Sequence, residues 1–265
     1  MGLIGRFTDY DDPSSLGPKL RKRRGQVIAD LIRAIHRTNH RCRILDIGGE
    51  ASYWNIFDRD FLQQHDVTIT LLNNQPDRIG SIDKAIFRMH IGDACRLDYG
   101  DNTFDLAHSN SVLEHVGDWP RMVAFAGETR RVALHYYVQM PFFWFPIEPH
   151  FGTPFFHWLP EPVRVAWIRR RPIGQYHRAS TMDEAMEYVQ DARLLDRKQF
   201  AALFPDASIR SERMFGMTKS LIAIRGPQGL TRIAEATHQV SGSVERSLVH
   251  QAVASRRDIS LTLGM

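Results

Sequence analysis

Between Arg43 and Glu50 the chain reads Ile44-Leu45-Asp46-Ile47-Gly48-Gly49, an apolar strand pattern that stops at an acid and two glycines. An unbroken apolar run suits a parallel strand buried on both faces. Glycines at its carboxyl end permit positive φ and bring backbone N–H groups close to a ligand. Two later segments repeat the design. Gly92-Asp93-Ala94 follows a second apolar run, and Phe104-Asp105-Leu106-Ala107-His108-Ser109-Asn110 is a strand that ends in small polar residues. Three such strand ends in succession are expected to build one pocket.

The rest of the pattern alternates strands with helices. Leu20, Val27, Leu31 and Ile35 fall at helical spacing within Pro18 to His40, with Ser14 or Ser15 placed to cap that helix. Strands are expected at Arg43 to Ile47, Val67 to Leu72, Ala85 to His90, Phe104 to His108 and Ala133 to Gln139. Tyr53 to Gln64 reads as a crossover helix. Asn73-Asn74-Gln75-Pro76 reads as a turn, because proline cannot extend a ladder. Asp118 to Arg131 reads as a helix capped by Asp118, with Pro120 in its first turn. Helices at Met182 to Gln190 and Asp196 to Phe204 precede a hairpin of Ser208 to Met214 and Lys219 to Arg225, turned by Phe215-Gly216-Met217-Thr218. Leu230 to Met265 carries weaker signals and reads as one or two docked helices. This order implies a mostly parallel sheet.

Composition narrows the class. Over 265 residues, 43% hydrophobic and 24% charged is globular usage, and two cysteines, Cys42 and Cys95, are too few for a disulfide framework or a cysteine zinc site. The longest apolar run, Met140 to Trp158, is broken by Pro141, Pro146, Pro149 and Pro154, which argues against a membrane span. No signal-peptide pattern follows Met1-Gly2, so a cytoplasmic location is the expectation. The net charge of +4 is concentrated at Lys19 to Arg24, Arg33 to Arg43 and Arg169 to Arg178. Such clusters suit phosphates or an anionic membrane face, and equally a solvated helix face.

Pro141 to Ser180 departs from the alternation. It is proline-rich and aromatic, with Phe142, Phe143, Trp144, Phe145, Phe151, Phe155, Phe156 and Trp158. A segment of this length and apolarity is either a lid or binding wall, or a satellite hydrophobic cluster covering a sheet edge.

In this order the motifs resemble those of class I S-adenosylmethionine-dependent methyltransferases over about Leu16 to Arg225. The resemblance rests on the Asp46-Ile47-Gly48-Gly49 loop, on Gly92-Asp93-Ala94, and most specifically on Phe104-Asp105-Leu106 through Ser111-Val112-Leu113-Glu114-His115-Val116. The stretch Trp144-Phe145-Pro146-Ile147-Glu148-Pro149-His150-Phe151 is similar to one in a bacterial subgroup of that family. The resemblance implies an α/β, Rossmann-like, seven-stranded mostly parallel sheet with a terminal β-hairpin and an aromatic insertion, 141–180, after strand five. It also implies a division into a helical extension (1–40), a methyltransferase core (41–225) and a tail (226–265). S-adenosylmethionine would lie over the carboxyl ends of strands one to four. Asp46, Gly48 and Gly49 would then meet its methionine part, Asn73 and Asn74 its ribose, Asp93 and Ala94 its adenine, and Asn110 and Ser111 would border the sulfonium.

Two departures from the family pattern stand out. Glu50 and Ser52 occupy positions where the loop usually has glycine, and Asn73 replaces the acid that usually ends strand two. An amide still offers an acceptor and two donors to a diol, but a neutral hydrogen bond is about half as strong as a charge-assisted one. These changes motivate an alternative, a non-catalytic relative that binds the cofactor. The basic clusters motivate another, an RNA-directed enzyme. An oxidoreductase fits less well, because Gly-x-Gly-x-x-Gly is absent.

Methyl transfer from a sulfonium is an in-line displacement driven mainly by positioning, and a base helps when a hydroxyl must lose its proton. The candidate catalytic residues are His150, with Glu148 to orient its ring, and His115 after strand four. His157, between Phe156 and Trp158, reads as a core imidazole. Glu148, His150 and His157 match no recognised metal spacing, so no metal is expected. Nucleic-acid substrates are disfavoured, since Ser109-Asn110-Ser111 stands where base-amine methylation wants Asn/Asp-Pro-Pro-aromatic. The aromatic insertion suits a small or glycan- or lipid-linked acceptor, methylated on a hydroxyl.

Overall fold

The computed structural model describes residues 16–74 and 82–227. The chain divides into units of Met1–Arg225 and Gly226–Met265, and the fold below is that of the first. The expected caps Ser14 and Ser15, the turn residues Gln75 and Pro76, and the helices expected beyond Leu230 lie outside the described residues.

Seven strands form one sheet: β1 (Cys42–Ile47), β2 (Val67–Asn73), β3 (Phe87–Ile91), β4 (Phe104–Asn110), β5 (Ala133–Pro141), β6 (Ser208–Met214) and β7 (Met217–Arg225), in the order β3-β2-β1-β4-β5-β7-β6. The first five run parallel, and β7 pairs antiparallel with both β5 and β6. This is the Rossmann-like α/β sheet with a terminal hairpin that the sequence pattern implies.

Alternation along each strand divides the core between two faces. Leu45, Ile47, Ala107, Tyr136 and Val138 join a cluster with Met122 and Phe125 of α3 (Trp119–Val132) and Phe200 and Leu203 of α6 (Arg197–Leu203). Their neighbours Ile44, Leu106 and Tyr137 join the other cluster, with Ile28, Leu31, Ile32 and Ile35 of α1 (Leu16–Asn39) and Leu62 of α2 (Arg59–Gln64). Asp118 caps α3 through the Arg121 N–H, and Asp196 with Gln199 forms a capping box on α6.

Three boundaries differ from the sequence reading. The crossover expected over Tyr53 to Gln64 is a 3-10 turn, Ala51–Ile56, followed by α2, because Trp54 turns into the core and Asp58 starts a new helix. The hairpin turn has two residues, not four: Phe215 (φ 52°) and Gly216 (φ 79°) both lie in the left-handed region, as a tight turn matching the strand twist requires. The insertion contains α4 (Glu161–Ile168), which the sequence reading missed, and packs with α5 (Met182–Gln190) around Phe151, Phe156, Val165, Ile168 and Val189. It is therefore a satellite cluster, and its first part also lines a cavity described below. Among the described residues no helix is long and apolar enough to cross a membrane.

Candidate functional site

Parallel pairing aligns the carboxyl ends of β1 to β4. Ile47 lies beside Leu72 and beside Ser109, and Asn73 lies beside Ile91. Gly48, Gly92 and Ser111 therefore leave the sheet along one edge. Their turns are tied by main-chain bonds: Gly48 N–H donates to the Leu72 carbonyl (2.7 Å), Gly92 N–H to that of Asn73 (3.1 Å), and Ser111 N–H to that of Gln139 (3.0 Å).

The glycine turn is held by what lies around it. Gly48 has φ +70°, and a Cβ there would stand 2.6 Å from a Val112 methyl, so the loops after β1 and β4 touch at this point. A Cβ on Gly49 would stand 1.8 Å from Asp46 Oδ2. The Asp46 carboxylate is buried, accepting from Trp54 Nε1 (2.7 Å) and from His108 Nδ1 (2.6 Å). Asp46 thus spends its oxygens on protein partners and supports the loop from beneath. His108, which the sequence reading gave no role, is buried and stacked on Tyr137 with an interplanar angle of 16°.

The other predicted cofactor residues take different surroundings. The Asn73 side chain is buried, whereas Asn74 is exposed. Asp93 accepts from the Cys95 N–H (2.9 Å), and both its oxygens accept from Arg121 Nη2 (3.0 and 3.1 Å); these bonds hold its carboxyl below the usual range. Ala94 is half-buried beside it. Asn110 Oδ1 accepts from Arg24 Nη1 (2.8 Å), and Ser111 Oγ donates to Gln139 Oε1 (3.0 Å).

Beyond the ends of β4 and β5 opens a cavity of about 200 Å³. Its walls are Leu20, Arg21 and Arg24 of α1, Tyr53, Asn110, Ser111 and Gln139, Phe142, Phe145, Ile147 and Pro149 of the insertion, and Lys219 and Ser220 of β7. Arg24 is locked in place by Glu212 of β6, which accepts from its Nε at 2.8 Å. Burial, and then Arg24, lower the Lys219 pKa. The Tyr53 hydroxyl is buried, with no hydrogen-bond partner among the described residues, and so is a donor available to a ligand.

The three candidate catalytic residues converge. Glu148 is buried and accepts from the N–H groups of His150 and Phe151 (both 2.9 Å) and from His150 Nδ1. The His150 ring meets that of His115 edge-on, with centroids 4.8 Å apart. Burial works to lower the His150 pKa, but Glu148, Glu114 and Asp191 carry it above the ordinary imidazole value. Two further residues belong to the cluster. Asp191 takes a bond from Tyr176 Oη (2.6 Å) and faces His115, and Glu114 is fully buried with its carboxyl pushed up to about 8, first by burial. His157 stands apart, its Nε2 bonded to the Phe143 carbonyl (2.9 Å). Among the described residues the group with the geometry to hold a metal is His115, His150 and Asp191, not the set with His157 considered from spacing.

Residues 56–133 match the model of a family described as a methyltransferase domain. Among solved structures, the N-terminal domain of EvdMO1 with SAH bound is similar at 17% identity over 76% of this chain and 81% of that one, with a TM-score of 0.44. A SAM-dependent methyltransferase from Aquifex aeolicus is similar at 12% identity over 84% of this chain and 98% of its own, with a TM-score of 0.43. A structure from Galdieria sulphuraria matches at 16% identity and a TM-score of 0.36 over 51% of this chain and 50% of its own, so this chain spans about half of that protein. No curated protein sequence matches.

Proposed function

We propose that this chain is an S-adenosylmethionine-dependent methyltransferase of class I architecture that methylates a hydroxyl group on a small or glycan- or lipid-linked acceptor. The observation that carries the reading is an adjacency: the glycine turn after β1 and the cavity beyond β4 and β5 share one sheet edge, joined through Asn110 and Ser111. The matched methyltransferase domain spans residues 56–133, from just before α2 to the first residue of β5, and so takes in Asn73, Asp93, Asn110 and Ser111 but not the glycine turn.

The strand-end turns support a cofactor site. Gly48 and Gly49 turn the chain tightly over Val112 and Asp46 where the methionine part would lie, Asn73 and Asn74 offer amides to a diol, and Asp93 with Ala94 closes the adenine side once Arg121 yields one of its two bonds. Asn110 and Ser111 then border the sulfonium, and the acceptor occupies the cavity. Holding the acceptor oxygen behind the methyl group contributes about 7 to 11 kcal/mol of barrier lowering. Tyr53, Arg24 and Lys219 supply donors to a polar acceptor, while Phe142, Phe145 and Ile147 cover its apolar face. Ile147 and Pro149 line the cavity immediately before His150, and this adjacency supports a role for the Glu148–His150–His115 cluster in activating the acceptor's hydroxyl.

Incubation with S-adenosylmethionine carrying a labelled methyl group and a panel of sugars, lipid-linked sugars and small alcohols tests this. A labelled methyl ether is expected. Tight cofactor binding with label found only on nitrogen, or on RNA, would overturn the hydroxyl assignment, and absence of cofactor binding at millimolar concentration would overturn the whole reading.

A further inference from the structure

We propose that His115, His150 and Asp191 form a binding site for one divalent transition-metal ion, zinc being the best match to its donors. Each residue offers a ligand atom, and these atoms lie within 4.8 Å of one another. His115 Nδ1 donates to the Asp191 main-chain carbonyl (3.0 Å), so the lone pair of its neutral ring is on Nε2.

The surrounding bonds aim the donors. Glu148 occupies His150 Nδ1, so the lone pair of the neutral ring is on Nε2, and carboxylate–imidazole–metal is the usual arrangement behind a ligating histidine. Tyr176 Oη donates to Asp191 Oδ2 (2.6 Å), which leaves Oδ1 for the ion. Glu114 is an independent pointer. It is fully buried next to this cluster, and neither of its oxygens has a hydrogen-bond partner among the described residues. A buried carboxyl without a partner is costly whether protonated or charged, and a cation beside it would relieve that cost.

Two imidazoles with one carboxylate favour zinc and its neighbours over magnesium or calcium, which select oxygen ligands. Three protein ligands leave a fourth position open, the pattern of catalytic rather than structural zinc. Pro149, adjacent to His150, lines the cavity. A bound ion supplies Lewis acidity that makes a coordinated hydroxyl easier to deprotonate. That consequence rests on the methyltransferase reading, whereas the binding itself does not.

The test uses the full chain, prepared without a polyhistidine tag, stripped with chelator and titrated calorimetrically with zinc and, separately, with magnesium. One zinc per chain is expected, with magnesium at least about 100-fold weaker. Asp191→Asn and His115→Gln, both on exposed side chains, should each weaken zinc about 100-fold. Glu148→Gln, which keeps one amide oxygen for the His150 and Phe151 N–H groups while removing the orienting charge, should weaken it about 10- to 100-fold. Thermal unfolding of each stripped variant confirms that the fold is intact. No saturable zinc binding, a preference for magnesium, or binding unchanged in both Asp191→Asn and His115→Gln would overturn the assignment. Because the titration uses neither cofactor nor acceptor, its failure leaves the methyl-transfer reading standing, and failed methyl transfer leaves the titration standing.

Discussion

Gly49→Ala should abolish cofactor binding, lowering affinity for S-adenosylhomocysteine at least about 100-fold, or about 2.8 kcal/mol. Gly49 does not need an unusual backbone angle. What forbids a methyl group is the Asp46 carboxylate 1.8 Å from where the Cβ would stand. That carboxylate cannot step aside cheaply, because Trp54 and His108 hold it in a buried pocket. Either the turn lifts away from the sheet or the buried carboxylate loses a partner, and the second costs about 3 to 5 kcal/mol when the group is charged. Calorimetric titration and denaturant unfolding read the two effects. Gly127→Ala is the control: Gly127 sits on an exposed position of α3 with nothing within 4 Å of a Cβ, so alanine there should stabilise the chain by about 1 kcal/mol and leave binding unchanged. A Gly49→Ala variant that binds like the parent would mean that the turn is not packed on Asp46.

Arg24→Met should destabilise the fold by about 3 kcal/mol, measured by denaturant unfolding, because it leaves the Glu212 carboxylate nearly buried without its cation. The side-chain exposures of 12% and 8% leave little water to soften the loss. Removing both charges is a different matter. Arg24→Met combined with Glu212→Gln should recover most of the stability, since a buried pair replaced on both sides is often near neutral. Methyl transfer should not recover with it, because Asn110 still lacks the donor that fixes its amide at the cavity mouth. Equal destabilisation of the single and double variants would show that the charge pairing is not what holds α1 to the hairpin.

Much of this fold was legible from local pattern. Buried parallel strands announce themselves as apolar runs, and Asp118 and Asp196 mark their helix starts by chemistry that needs only the next three residues. The strand-end residues Gly48, Asn73, Asp93 and Asn110 were legible for the same reason, since each follows directly from where its strand stops. What stayed hidden was non-local. Asp46 reads as a ligand contact until Trp54 and His108 are seen to claim it, and a partner 62 residues away leaves no trace in periodicity. Arg24 looked like one charge of a solvated basic face, yet Glu212 and Asn110 bring it inside. Asp191 carries no motif, and only the fold of the insertion brings it to His115. The helix α4 was concealed by the prolines and aromatic residues around it, whose packing into a separate small core overrides their weak helical pattern.

A crystal structure of the full chain grown with S-adenosylhomocysteine tests the central claim most directly. The ligand should lie across the carboxyl ends of β1 to β4, with adenine against Asp93 and Ala94, ribose at Asn73 and Asn74, and sulfur directed past Asn110 toward the cavity. Ligand density confined to the cavity between α1 and β7, or placed anywhere away from Gly48 and Asp93, would contradict it.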